Sequence, residues 1–553
     1  MLKQSATRRP RVVSIFAWGL ILVSVVFGSY SLVPPPAVTA EAPDEDFSAD
    51  RALRHVEAIA RRPHPMGTAA RDEVRRYLTS EIEKLGLVPE FQAIWASDYY
   101  GSGEPVAVVN VMARIPGTSS TGAIALMAHY DTVPATPGAN DNTSGVATVL
   151  ETARAILSGS ALRNDVLLLF TDSEEPAPRY GSNAFVSDHP VFDEIALVVN
   201  LEAVGGSGPS ILGETSGPTG WLVERYAADA PNPTTFSFIA ETMSLLGDIG
   251  TDFDPFRNAG VPGYHFAYMR GSSIYHSPAD DVESVSRDSV QHHGSNTLAV
   301  TRSFGDADLT AMPDPDESVY FTLRPIFVRY PASWSVVAAL AAGALLLPWI
   351  VRRRREEGRW WQIVRSGGLA CLLVLVGALI GTLAWILVTT VRSSPTVRES
   401  YLSLIGVVSL GSGFAFWLNR VIPTRWQVDR CGFVLVWVGL GLLTAFVAPG
   451  FSPLFTLPAL AAVIAINWRP GDSDVASLLR FGLVAMPTVV LLVPAVDFFF
   501  QMGQPRPGNP DSSIPSAAGV GFLLALFAIG LIWMVWPTSP HSERVSSPDG
   551  ESP

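Results

Sequence analysis

Between residues 44 and 317 the chain alternates short apolar runs with turn-rich and amphipathic stretches, and from Ser333 onward it becomes a series of long apolar blocks. The run at 123–131 has strand character and ends in H-x-D, and those at 165–171 and 195–201 are short and continuous, the pattern of strands buried on both faces of a parallel or mixed sheet. Helical spacing follows over 71–85 and over 146–157, the second after a loop rich in Gly, Asn, Thr and Ser. These elements predict an α/β domain, at 41–320, with a central mixed, mostly parallel sheet flanked by helices. A different pattern precedes it. Residues 1–11 hold Lys3, Arg8, Arg9 and Arg11 with no acid, and 12–33 form an uncharged stretch long enough to cross a bilayer. That length exceeds a usual signal-peptide core, so an uncleaved anchor is expected in preference to a signal cut at the small residues 37–40. Beyond Ser333, apolar stretches near 333–351, 367–391, 401–418, 431–449, 453–467, 481–500 and 517–536 predict an all-α polytopic membrane domain over 333–536. With the anchor they make eight spans, or seven if the short 453–467 is re-entrant. A disordered cytoplasmic tail is expected over 537–553.

Charge orients this arrangement. The chain has 553 residues and a formal net charge of −13, and direct counting over 41–320 gives 40 acids against 17 bases. The basic residues cluster instead in alternate links: Arg352 to Arg355, Arg359 and Arg365, then Arg420, Arg425 and Arg430, then Arg469 and Arg480. With a cytoplasmic N-terminus all of these links fall in the cytoplasm, and the acidic domain falls on the far side of the bilayer. Asp497, near the outer end of its span, is expected at the interface. A domain this acidic lacks the basic surface that nucleic acid requires, so the lipid bilayer is an expected partner and nucleic acid is not. The two cysteines, Cys371 and Cys431, both lie in predicted spans, leaving the exported domain without a disulfide. Together with 36 Arg against 2 Lys, this favours a bacterial plasma membrane over the alternative, an organelle membrane with a lumenal domain. The sequon at Asn142 adjoins a candidate metal ligand, where a glycan would obstruct the site.

The candidate chemistry lies at the ends of the apolar runs. In chain order these residues are His129, Asp131, Asp141, Glu174, Glu175, Glu202 and His276. His129 and Asp131 close the first run, Glu174 and Glu175 follow the second, and Glu202 follows the third. Asp141 lies in a loop beside a helix N-terminus, and His276 in a late turn-rich loop. In open α/β sheets the ligand crevice lies outside the carboxyl ends of the strands, so three strand exits deliver these groups to one place. Imidazole and carboxylate are the ligand types of zinc, and two metals about 3.5–4 Å apart need a shared anion, which Asp141 is able to supply. The other four ligands then divide into one His and one carboxylate for each metal. Asp131 is placed to orient His129 through its second ring nitrogen, and Glu174 suits a general base. Tyr264, Tyr268 and Tyr275 are candidates for stabilising an oxyanion. His64 is expected in a turn, and His55, His189, His265, His292 and His293 in packing or surface roles.

The segments H-Y-D (129–131), G-A-N-D-N-T-S-G (138–145), S-E-E (173–175), N-L-E-A (200–203) and Y-H-S (275–277) resemble metallopeptidase family 28, the co-catalytic zinc aminopeptidases and related exopeptidases. The resemblance covers roughly Arg61 to Val285. With R-P-H-P-M-G (62–67) and G-T-D-F-D-P-F-R (250–257), it leans to the membrane-anchored branch of endoplasmic reticulum metallopeptidases and vacuolar membrane proteases. It implies a zinc-exopeptidase-like fold and two zinc ions, one on His129 and Glu202, one on Glu175 and His276, bridged by Asp141. It also implies catalytic roles for Glu174 and Asp131. Many soluble members have Asp in place of Glu202, a difference that bears on metal spacing. The activity implied is release of N-terminal residues from peptides. Two other functions stand beside it: a non-catalytic binding or scaffold protein on the same fold, and a glutaminyl-cyclase-like zinc acyltransferase.

Overall fold

The computed structural model describes residues 3–101, 103–176, 178–313, 317–357, 360–391, 430–468 and 473–504, with Gly406, Val520 and Gly530. Helix α1 (Lys3–Tyr30) leads into α2 (Ala49–Ile59), α3 (Ala69–Lys84) and strands β1 (Glu90–Ser97), β2 (Pro105–Ile115) and β3 (Ala123–His129). Then come α4 (Gly145–Leu157), β4 (Asp165–Thr171), α5 (Tyr180–Asp188), β5 (Ile195–Ala203), β6 (Ile211–Ser216) and α6 (Thr219–Asp229). The domain continues through α7 (Ser237–Leu246), α8 (Phe253–Asn258), β7 (Gly263–Tyr268) and α9 (Arg287–Gly305) to a hairpin of β8 (Ser318–Leu323) and β9 (Ile326–Pro331). The membrane part contains α10 (Ser333–Glu357), α11 (Trp360–Val391), α12 (Arg430–Val447), α13 (Pro453–Asn467) and α14 (Asp474–Met502).

The seven-stranded sheet has the order β1-β2-β4-β3-β5-β7-β6. β3 pairs in parallel with both β4 and β5, and β5 with β7. β2 lies antiparallel to β1 and β4, and β6 antiparallel to β7. Five strands therefore run the same way, and only β2 and β6 oppose them. Period-two burial explains the layers. Ile124, Leu126 and Ala128 of β3 join Leu168, Val199 and Leu201 on one face, against α2, α4, α6 and α9. Ala125 and Met127 join Leu167, Leu169 and Val198 on the other, against Phe185 of α5 and Phe253 and Phe256 of α8. A sheet covered on both faces needs apolar residues at every position, which is why these strands are unbroken runs. β5 runs two residues beyond the expected 195–201, because Glu202 and Ala203 still pair with Ala267 and Tyr268 of β7.

The expected domain edge at residue 320 falls inside β8. This strand belongs to the domain: Thr322 N–H donates to the Thr235 carbonyl at 3.1 Å, and Thr235 N–H donates to Thr322 Oγ1 at 3.1 Å. Among the described residues, four helices are long and apolar enough to cross a membrane, at Val12–Tyr30, Ser333–Arg352, Val364–Leu387 and Asp474–Met502. The apolar helices at Gly432–Val447 and Pro453–Asn467 are shorter. The expected spans at 401–418 and 517–536 and the tail at 537–553 lie outside the described residues, apart from isolated positions. Helix α1 packs along α14, where Ala17 meets Phe481 and Ala485. A Cβ on Gly28 would stand 3.0 Å from the Val490 carbonyl oxygen, so glycine permits the close approach.

Candidate metal centre

Four parallel strands end at one edge of the sheet, and each hands the chain to a segment bearing candidate ligands. His129 is the last residue of β3 and Glu202 the penultimate residue of β5. Glu174 and Glu175 follow β4 after Ser173, whose φ of +62° is an uncommon left-handed conformation for a residue other than glycine. His276, with φ of +56°, follows β7. Asp141 sits in the irregular helical turn Ala139–Ser144 that leads into α4.

The two oxygens of Asp141 face two imidazoles. Oδ1 lies 3.3 Å from His129 Nε2 and Oδ2 lies 3.2 Å from His276 Nε2. Glu202 Oε2 stands 3.6 Å from His129 Nε2, and Glu175 Oε2 stands 3.1 Å from His276 Nε2. Two overlapping groups result, His129–Asp141–Glu202 and Asp141–Glu175–His276, with Asp141 common to both, and Glu174 groups with His129 and Glu175. Asp141 Oδ2, Glu175 Oε1, Glu202 Oε1 and His276 Nε2 are buried and make no hydrogen bond. Buried polar atoms are normally satisfied, so converging oxygens and nitrogens of this kind fit a cation, and the donor set is that of zinc.

The electrostatics agree. Burial and then the charge of Asp141 push Glu175 up to about 7, and burial raises Glu174 well above and Glu202 above the usual carboxylate range. Burial opposes protonation of the imidazoles, yet the neighbouring carboxylates overcome it. Glu174 and Glu202 lift His129 well above its ordinary value, and Glu175 and Asp141 lift His276 to about 10. Asp141, against the cost of burial, is held low by the two histidines. The cluster thus carries more negative charge than its buried setting tolerates, which bound dications relieve.

Asp131 lies beneath the cluster and is fully buried. Its Oδ1 accepts the Glu174 N–H at 3.0 Å and its Oδ2 the Glu175 N–H at 3.3 Å. His129 Nδ1 is 3.1 Å from the Asp131 backbone carbonyl and 3.6 Å from the carboxylate. The nearer acceptor for the ring is therefore the main chain, while the side chain fixes the turn that presents the two glutamates. Two further acids were not singled out from the sequence. Asp280 accepts Asn140 N–H and Nδ2 on Oδ1, each at 2.8 Å, and Asp141 N–H on Oδ2 at 3.1 Å, pinning the loop that carries Asp141. Asp252, fully buried, accepts from Thr171 Oγ1, and its charge acts on Glu174. Both lie in segments that stood out for their pattern, but nothing in residue type marks a carboxylate as a hydrogen-bond anchor.

The tyrosines separate clearly. Tyr264 donates to the Leu222 carbonyl at 2.7 Å, and Tyr268 is shared between Asn140 Oδ1 and Ser144 Oγ at 2.9 and 2.8 Å. Tyr275 stacks on His276 with ring centroids 3.7 Å apart and lines the cavity above the cluster. That cavity measures about 380 Å³. His64 is buried in its turn, with N–H to Thr132 Oγ1 at 3.0 Å. His265 lines the cavity, its Nδ1 3.0 Å from Asn200 Nδ2, and burial pushes it down to about 4, so it is neutral. His55 bonds Tyr77 at 2.8 Å, His189 accepts from Val191 N–H at 3.3 Å, and His292 and His293 are buried in α9.

Residues 110–301 match the family model described as Peptidase family M28. The matched segment is about a third of the chain. Endoplasmic reticulum metallopeptidase 1 of Homo sapiens is 31% identical over 234 residues, covering 41% of this chain and 26% of that protein. Vacuolar membrane protease of Candida dubliniensis is 29% identical over 284 residues, covering 50% of this chain and 30% of that protein. The chain thus spans about a third or less of the length of these relatives. Among solved structures, a glutaminyl cyclase of Porphyromonas gingivalis has a TM-score of 0.39 at 20% identity, covering 46% of this chain and 97% of that one. The M28 match begins in β2 and ends in α9, so it contains every residue of the cluster.

Proposed function

We propose that the protein is a membrane-anchored zinc metallopeptidase, an aminopeptidase acting on peptides at the face of the membrane opposite its N-terminus. The observation that carries this reading is the placement of Asp141 between His129 and His276, each imidazole having its own glutamate. In this reading His129 and Glu202 hold one zinc ion, Glu175 and His276 the second, and Asp141 is common to both. Bound zinc supplies Lewis acidity toward the scissile carbonyl and toward water. Glu174, in the buried floor of the cavity and with a raised affinity for a proton, takes the proton from the attacking water and returns it to the leaving amine. Asp131 keeps Glu174 aimed by holding its backbone N–H. Of the three tyrosines, Tyr275 lines the cavity and stacks on His276, and in this reading it donates to the oxyanion.

The helix ends support the orientation. The domain meets the bundle at the C-terminal ends of α1 and α14, at the start of α10 and at the turn between α12 and α13. The opposite ends, at positions 3, 352, 430 and 474, adjoin the basic links expected in the cytoplasm. Relatives named for the endoplasmic reticulum and the vacuole fit an organelle membrane with a lumenal domain, and lend nothing to the bacterial plasma membrane favoured by cysteine and arginine usage.

The test is Glu174→Gln in the full chain, with zinc measured alongside hydrolysis of aminoacyl amides. Two zinc ions per chain are expected in both proteins, with turnover lowered by about 10²–10⁴-fold in the variant. Undiminished turnover at unchanged zinc content removes Glu174 from the proton-transfer role. A single zinc, with cyclisation of N-terminal glutamine, would favour the acyltransferase instead.

A further inference from the structure

The cavity at the metal cluster is lined in part by the membrane bundle. His129, Asp141, Glu174 and Glu202 line it together with Met243 and Leu246 of α7 and with Phe498 and Met502 from the last turns of α14. Both helices are fastened where domain and bundle meet. On α14, Asp497 pairs with Arg270 at 3.2 Å, and Gln501 Oε1 accepts the Gly271 N–H at 3.1 Å. Ser272 Oγ donates to the Gln501 carbonyl at 2.7 Å, four residues before His276. On α7, Ser237 Oγ donates to the Gly450 carbonyl at 3.0 Å and Glu241 accepts the Gly450 N–H at 3.0 Å. A Cβ at Gly450 would come within 2.5 Å of the Ser237 carbonyl oxygen, so this turn between α12 and α13 approaches α7 as closely as backbone allows. Phe238 meets Phe498 edge to face, with ring centroids 5.9 Å apart.

Resting on the peptidase reading above, we propose that Phe498 and Met502 of the membrane helix form one wall of the pocket that receives the side chain of the residue whose peptide bond is cut. The substrates are then peptides with a large apolar N-terminal residue, and the bundle is a specificity element as well as an anchor. Three features support this. The volume, about 380 Å³, suits a bulky side chain with its flanking peptide unit. Away from the metal cluster, the one charged side chain among the lining residues is Asp248, already paired with Arg257 at 2.6 Å. His265, on the same wall, has its Nδ1 engaged by Asn200. A lysine side chain entering here would lose its hydration without gaining a partner, whereas a leucine or phenylalanine exchanges water for Met243, Leu246, Phe498 and Met502.

The experiment uses the detergent-solubilised, zinc-loaded full chain. Rates on Leu, Phe, Ala and Lys aminoacyl anilides are compared for wild type, Phe498→Ala, Met502→Ala and the conservative Phe498→Leu. In parallel, equilibrium binding of leucinamide and glycinamide is measured by calorimetry on Glu174→Gln with and without Phe498→Ala. The wild type should prefer Leu and Phe over Lys, and each alanine variant should lower the Leu-to-Ala ratio of kcat/KM by roughly tenfold, while Phe498→Leu restores most of it. Glu174→Gln should bind leucinamide about tenfold more tightly than glycinamide, and Phe498→Ala should erase that difference. Equal binding of the two amides, or a Leu-to-Ala ratio untouched by both alanine variants, overturns the composite wall. Absence of turnover by the wild type, with the leucinamide preference and its loss in Phe498→Ala both intact, overturns the peptidase reading and leaves the wall standing.

Discussion

Asp131 is fully buried and uses both carboxylate oxygens to hold the main chain of Glu174 and Glu175. Replacing it by Asn leaves one acceptor where two N–H groups need one, and turns an NH₂ toward a donor. The turn that presents Glu174 and Glu175 should loosen without any loss of core volume. Asp131→Asn is therefore expected to lower kcat by about 10–100-fold, the usual effect of disturbing an outer-shell partner, with a smaller change in zinc affinity. Steady-state kinetics and a competitive zinc titration check both parts, and a variant with wild-type kcat would show that backbone packing alone holds the turn. The residues of the cluster were legible in the sequence because His and Glu at strand exits announce chemistry by type and place. Asp280 and Asp252 were not, since each acts through hydrogen bonds to Asn140, Asp141 or Thr171 that no spacing rule encodes.

Helix α9 illustrates the same limit in a whole element. Its histidines were expected in packing or surface roles, and they pack in a defined protonation state. His292 Nδ1 accepts the Ser210 N–H at 3.1 Å while Nε2 donates to the Asn232 carbonyl at 2.8 Å, which requires the neutral ring. His293 meets Ser210 Oγ at 2.8 Å and the edge of Tyr268. Burial pushes each down to about 3. An unfolded chain protonates them near pH 6.5. Above that pH both states are neutral and stability is complete. Below it the unfolded state binds protons that the folded state refuses, so stability falls as pH falls, down to about pH 3. Each ring accounts for about 1.4 kcal/mol per pH unit within this window. His293→Asn should remove one such share, so that its melting temperature drops less between pH 7 and pH 5 than that of the wild type. An identical drop would place the acid sensitivity elsewhere. Helix positions were readable from periodicity, as α3 and α4 show, whereas the partners of the α9 histidines, Ser210, Asn232 and Tyr268, come from loops and from β7 and meet them only in three dimensions.

At the scale of the molecule, the two compositions along the chain suggest two separable parts, but they share one apolar cluster. Ile211, Phe236, Phe238, Ile239 and Phe321 from the domain pack with Trp437, Leu454, Phe455, Phe498 and Phe499 from the membrane helices. A hydropathy pattern distinguishes apolar from polar segments and is silent on whether an apolar residue of the domain meets lipid, core or another helix, so this seam was not visible in the sequence. Its consequence is physical. Cutting the chain to 41–320 exposes Ile211, Phe236, Phe238 and Ile239 together, splits β8 with the loss of Phe321, and removes Phe498 and Met502 from the cavity. A contiguous apolar surface of this kind drives association in water. The excised segment should elute as large aggregates under conditions where the full chain in detergent is monodisperse, as read by size-exclusion chromatography with light scattering. Adding the same detergent should recover soluble segment, and if it retains two zinc ions while losing its Leu-to-Ala preference, the metal centre belongs to the domain and selectivity to its union with the bundle. A monodisperse excised segment in plain buffer would mean that the seam is dispensable and that the bundle serves as an anchor alone.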